Sequence, residues 1–134
     1  MTTPYRVLIT GSRTWDDLHA VRTALAHTLA SLPPEQPLVV VHGDCPAGAD
    51  IMAKTWALTT FTAACTDDYQ RVTEEPHPPA WHLHGRAAGP IRNASMVQAG
   101  ADLCLAFIRN GSHGATHCAQ LAERAGIPVR RWTT

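Results

Sequence analysis

The chain has 134 residues, with 11 basic and 11 acidic side chains, a formal charge of zero, 45% hydrophobic and 16% charged residues. That length fits one domain with a self-sufficient core, and the composition is globular rather than disordered. The charge balance disfavours a protein that grips nucleic acid by clustered cations, and the absence of a run of about 18 apolar residues excludes a helical membrane span. Met1 to Tyr5 carry neither the charged nor the apolar region of a secretory leader, so a soluble, cytoplasmic protein is expected.

Taken in order, Tyr5 to Thr10 is a β-rich run that ends at Gly11. A helix follows, with Asp16 or Asp17 as N-cap and Leu18, Val21, Leu25, Leu29 and Leu32 at the 3.6-residue period, stopped by Pro33 and Pro34. Leu38 to His42 is a continuous apolar run, as in a strand covered on both faces. A second helix starts near Ala49. The stretch from Thr59 to Gln70 either extends it or forms a loop. Arg71 to Glu75 reads as a third strand, and the prolines from Pro76 to Pro79 force an extended exit. A polar loop then runs to Pro90, which suits the first turn of a helix ending near Gly100. Asp102 to Ile108 is a fourth strand. The last helix carries Cys118, Leu121, Ala122 and Ala125, is closed by Gly126 and Pro128, and leads into a strand from Val129 to Trp132. This alternation predicts an α/β fold, a five-stranded parallel sheet between two helical layers.

Cys45, Cys65, Cys104 and Cys118 show no CxxC spacing, and Cys104 and Cys118 read as buried small hydrophobes. His77, His82 and His84 crowd one stretch, where His82 and His84 would share one side of an extended segment. No cysteine or carboxylate stands at ligand spacing beside them, so loop histidines rather than a metal site are expected.

The polar clusters all follow predicted strands, and in a parallel sheet such segments converge on the carboxyl-end rim. Gly11, Ser12 and Arg13 offer backbone amides, a hydroxyl and a guanidinium to a phosphate or carboxylate. Asn110 to Thr116 is a second glycine-bearing turn that opens a helix, where amides, Ser112 and Thr116 either cradle a phosphate or cap the helix. Arg86 and Arg92 stand among small residues as partners for anionic oxygens, or as surface ion pairs. Asp50 caps its helix or binds a sugar hydroxyl, with capping favoured.

Four segments together carry a family resemblance: Val7 to Arg13, Val41 to Asp50, His84 to Asn93 and Ala125 to Val129. The combination resembles the YspA-type (cpYpsA-related) SLOG family across nearly the whole chain. The resemblance implies one Rossmann-like domain over residues 1–134, related to LOG phosphoribohydrolases and DprA DNA-processing proteins. It also implies a nucleotide or nucleotide-derived ligand, in a family found in bacteria and their phages. The ligand-site candidates it transfers are Gly11, Ser12, Arg13, Gly43, Gly48, Asp50, Arg86, Arg92, Asn93, Gly114 and Thr116. Three departures stand out. The carboxylate of the LOG signature has no counterpart after Thr116, Ala80 precedes Trp81 where relatives often carry an acid, and the segment from Thr59 to Gln70 is longer than the usual link.

Three functions follow as expectations. The first is a binding module or sensor for a small phosphorylated, nucleotide-like ligand, with no cofactor. The second is a phosphoribohydrolase that cleaves the N-glycosidic bond of a nucleoside monophosphate, in which Asp50, Glu75 or Glu123 supplies the missing carboxylate. The third, DprA-like nucleic-acid binding, is least favoured, because the chain has one lysine, Lys54, and two Phe. A homodimer or higher homo-oligomer is open, as are catalytic residues.

Overall fold

A computed structural model of the chain describes residues 3–64 and 70–134. The sheet has five parallel strands in the order β3-β2-β1-β4-β5. These are β1 (Tyr5–Gly11), β2 (Leu38–His42), β3 (Val72–Pro76), β4 (Leu103–Ile108) and β5 (Val129–Thr133). The fold is Rossmann-like α/β, and the order reverses beside β1, the first strand and the central one. Val7 pairs with Val40 on one side, and Leu8 with Cys104 on the other.

Alternation along the strands sorts the core into two layers. Val7, Ile9, Leu105 and Phe107 pack with α1 (Leu18–Ala30) and α2 (Ala49–Ala64) through Val21, Leu25, Ala53 and Trp56. Leu8, Val41 and Cys104 face Met96 of α4 (Ala88–Ala99) and Cys118 and Ala122 of α5 (His113–Arg124). Alanines 106, 115 and 119 extend this second layer and let α5 lie close to the sheet. Val7, Leu8 and Ile9 are fully buried, and each such side chain contributes about 1.5–3 kcal/mol of hydrophobic stabilisation. Cys104 and Cys118 are buried free thiols, and burial pushes both up, to about 12 and about 11.

Helix ends follow local chemistry. The Asp17 carboxylate accepts from the Ala20 amide at 3.0 Å and caps α1. Leu18 stands just inside that cap with 45% of its surface exposed, so it does not belong to the core stripe. The buried stripe of the helix starts at Val21. Thr59 to Ala64 continue α2, which settles that part of the segment as helix, and residues 65–69, Cys65 among them, lie outside the described residues. β3 is an edge strand that tolerates Pro76 as its last residue, and the ladder resumes where the His77 amide donates to the His42 carbonyl at 2.8 Å.

The polar loop expected before Pro90 is helical instead. Trp81–His84 forms a short helix, α3, Gly85–Ala87 a single 3-10 turn, and α4 starts at Ala88 with Pro90 in its first turn. His82 and His84, both exposed, therefore lie two positions apart on a helix, where side chains do not share a face. The paired imidazoles expected of an extended segment do not form.

Candidate functional site

The loops after β1, β2, β3 and β4 enclose a cavity of about 740 Å³ at the carboxyl-end rim, where the strand order reverses. Gly11, Ser12, Arg13, Gly43, Asp50, Arg86, Arg92, Asn93 and Gly114 all line it. Gly48 and Thr116 do not.

Gly48 has a different task. Its φ is +77°, and a Cβ there would stand 2.1 Å from the Ser12 carbonyl oxygen. Only a residue without a side chain lets the start of α2 pass this close to the turn after β1. Thr116 lies within α5, where its amide donates to the Ser112 carbonyl at 3.1 Å, and it does not line the cavity although Ala115 and His117 on either side of it do.

The turns after β1 and β4 are stitched together. Ser12 is buried, its Oγ accepts from the Arg109 amide at 2.8 Å, and it shares a 2.6 Å hydrogen bond with Ser112 Oγ. The Ser12 amide donates to the Phe107 carbonyl at 2.9 Å. The Ser12 hydroxyl thus holds the rim in shape. Ser112 occupies the N-cap position of α5, yet its side chain makes no capping hydrogen bond because it turns to Ser12. His113, Gly114 and Ala115 begin the helix against the cavity, and their first-turn amides have no side-chain cap. An anion is suited to such a helix start.

Across the cavity, Arg92 points inward from α4. Its Nε donates to Asn93 Oδ1 at 2.9 Å, while Nη1 donates to the Gly43 carbonyl and, at 3.4 Å, to the His77 carbonyl. A Cβ at Gly43 would sit 2.3 Å from Arg92 Nη1, so glycine makes room for the guanidinium. Among the described residues Arg92 forms no ion pair of the kind a surface arginine makes; it clamps the loops after β2 and β3. Asn93, also buried, passes the connection on through its Nδ2, which donates to the Gly114 carbonyl at 3.2 Å.

Asp50 does not cap α2. It is 6% exposed, and its Oδ2 accepts from the Cys45 amide at 3.3 Å, tying down the loop that precedes the helix. Its Oδ1 is buried and has no hydrogen-bond partner among the described residues. Burial pushes its pKa from 3.8 up to about 6, against the opposing pull of the Cys45 amide and the Arg92 guanidinium. Arg13 and Arg86, by contrast, are exposed at the cavity mouth. Arg13 places its guanidinium carbon 5.9 Å from the ring centroid of Trp81, and neither arginine forms an ion pair among the described residues.

Several lining residues were not among the sequence-derived candidates: Asp44, Trp81, His113 and His117. Asp44 holds a φ of 56°, supported by its amide, which donates to Nδ1 of the buried His42 at 3.0 Å. With Nδ1 accepting, the neutral His42 ring carries its proton on Nε2, 3.5 Å from Glu74 Oε1, and burial lowers its pKa. His117 was legible in principle, since it follows His113 by four positions and so shares its helix face. The other two carboxylates considered for chemistry lie elsewhere. Glu75 binds Arg6 through two hydrogen bonds, at 2.9 and 2.8 Å, and His77 at 2.7 Å. Glu123 pairs with Arg131.

Fold and site together define a Rossmann-like protein whose cavity lies at the reversal of strand order. The sequence profile of the YspA, cpYpsA-related SLOG family matches residues 5–84. The chain is also 48% identical over 124 residues to the protein called Gene 61 protein of Mycobacterium phage D29, covering 92% of this chain and 93% of that one. The chain belongs to the YspA, cpYpsA-related SLOG family. No solved structure matches it. Among the described residues no helix is long and apolar enough to cross a membrane.

Proposed function

We propose that the chain binds a nucleotide or a nucleotide-derived phosphorylated ligand in the rim cavity, as a ligand-binding module or sensor. The observation that carries this reading is the uncapped start of α5, which opens into the same cavity as the unpaired arginines Arg13 and Arg86. Helix amides take phosphate oxygens, and guanidiniums add charge and bidentate geometry. A volume of about 740 Å³ is in the range of cofactor and small-ligand sites. Trp81 offers a half-exposed ring at the mouth, suited to a flat base. Family membership supports a nucleotide-related ligand. Isothermal calorimetry with AMP, ADP-ribose and cyclic ADP-ribose tests the reading: saturable binding that weakens in Arg86→Ala supports it, and no heat with any of the three contradicts it.

One observation favours a second reading, hydrolysis of the N-glycosidic bond of a nucleoside monophosphate. Asp50 is a cavity carboxylate with a pKa raised to about 6, the range in which an acid or base exchanges protons efficiently near neutral pH. Of the three carboxylates considered, it alone lines the cavity. It would position water or stabilise a developing oxocarbenium charge. Chromatography of free base decides this: release from AMP that disappears in Asp50→Asn supports hydrolysis, and no release above buffer for any nucleotide rejects it.

A further inference from the structure

Among the described residues that line the cavity, one buried side-chain polar atom lacks a hydrogen-bond partner. Asp50 Oδ2 is held by the Cys45 amide, whereas Oδ1 is buried and unpartnered among the described residues. A buried acceptor left unsatisfied carries a desolvation cost that the fold must bear, and most such groups in folded proteins find a donor. Among the described residues no hydrogen bond reaches Oδ1, although the Gly43 amide stands close enough to help pull the carboxylate's pKa down, and the cavity that Asp50 lines is the side from which an outside donor can come. We infer that Asp50 Oδ1 accepts a hydrogen bond from an uncharged O–H or N–H group of the bound ligand, so that the cavity reads a neutral donor as well as a phosphate.

The neighbours of Asp50 define the donor. The Arg92 guanidinium and the Asp50 carboxylate both flank Gly43, where a Cβ would stand 2.3 Å from Arg92 Nη1 and 3.0 Å from Asp50 Oδ2. Arg92 already offsets part of the carboxylate's charge, with Asp44 as the opposing acidic neighbour, so Asp50 needs no ligand cation for charge balance. What Oδ1 lacks is a hydrogen-bond donor, which a hydroxyl or amine provides. Such a group would supply the hydrogen bond that Arg92 does not, because Arg92 donates to Asn93 and to backbone carbonyls instead. Nucleotides carry this chemistry in two places, the vicinal hydroxyls of ribose and the exocyclic amine of the base.

This inference rests on the nucleotide reading above. The test compares wild-type affinity for AMP, 2′-deoxy-AMP, 3′-deoxy-AMP and purine riboside monophosphate, which lacks the amine, and repeats the set in Asp50→Asn. A hydrogen bond to a charged acceptor is worth about tenfold or more in affinity. The expected result is that one of the three analogues binds wild type at least tenfold more weakly than AMP and that Asp50→Asn no longer discriminates against it. Loss with a deoxy sugar identifies a ribose hydroxyl, and loss with purine riboside monophosphate identifies the base amine. The wild-type series does not depend on how well the variant folds. If wild type binds AMP and all three analogues alike, the inference is overturned while nucleotide binding stands. If the deficient analogue is disfavoured equally by wild type and a folded Asp50→Asn, the donor is read elsewhere and the inference fails. No binding of AMP, ADP-ribose or cyclic ADP-ribose overturns both.

Discussion

The two flanks of the cavity hold their polar groups in opposite states. Where the turns after β1 and β4 meet, the hydroxyls of Ser12 and Ser112 bond to each other, and Ser12 also receives the Arg109 amide. Where the loop after β2 meets α4, a buried carboxylate keeps one oxygen unpartnered and a half-buried guanidinium clamps backbone carbonyls. The first flank is a finished structural seam that leaves helix amides bare, and the second stores an electrostatic demand. Residue type therefore does not assign roles on this rim. Ser12 and Arg92, ligand-donor candidates in sequence, also fasten the loops together, while Asp50 looks like a cap and, among the described residues, keeps one oxygen unpartnered.

Substitutions separate these states. The largest effect is expected at Gly48, where a Cβ would strike the Ser12 carbonyl on a left-handed backbone, so Gly48→Ala should cost about 3 kcal/mol or more. At Gly114 an added Cβ meets nothing within 4 Å among the described residues. Gly114→Ala should stay within about 0.5 kcal/mol of wild type in urea melts while weakening phosphate-ligand binding. Equal destabilisation by the two would contradict the division into packing and ligand-facing glycines.

Asp50 gives the next effect. Its pKa in the folded chain is about 6, above the ordinary 3.8, so between these values the folded chain holds a proton that the unfolded chain has released. Stability falls as the pH rises through that window, by at most about 3 kcal/mol at 1.36 kcal/mol per unit. Asp50→Asn removes the buried charge. Thermal melts should show it gaining about 1–3 kcal/mol over wild type above the window and little or nothing below it. A difference that does not change with pH would mean that Asp50 carries no such penalty.

Ser12→Ala tests the seam directly. It leaves the Arg109 amide without its acceptor, for an expected loss of about 1–3 kcal/mol in chemical denaturation. A neutral result would show that the two turns hold together without the hydroxyl.

The smallest effect belongs to Glu75, the carboxylate treated oppositely to Asp50. The Arg6 hydrogen bonds, with His77 adding to them, hold its pKa down at about 2. Its contribution is thus present above 4.5 and is lost as the pH falls toward 2. The side chain is 37% exposed, so solvent screens the pair, and Glu75→Gln should cost less than about 1 kcal/mol at neutral pH. A loss as large as that of Ser12→Ala would place Glu75 among the structural fasteners.

The strands and long helices were legible because apolar runs such as Leu38 to His42 and periodic ones such as Val21 to Leu29 state burial directly. The short helix at Trp81 was not. Four residues carry no period, its histidines and Leu83 are exposed, and the prolines before it point to an extended chain. For the site, the sequence gathers on one rim the loops that line the cavity, since strand ends determine that. Which side chains face inward depends on contacts distant in sequence: Ser12 with Ser112, and Arg92 with Gly43. No local pattern announces those pairings.

The central claim is that the rim cavity is where a nucleotide-like ligand sits. An amide NMR titration of the intact chain with AMP or ADP-ribose tests it most directly. The account predicts saturable shifts concentrated at Arg13, Gly43, Arg86 and the start of α5 around Gly114, and quiet amides on α1. Shifts scattered over the surface, or none at ligand saturation of the solution, would contradict it.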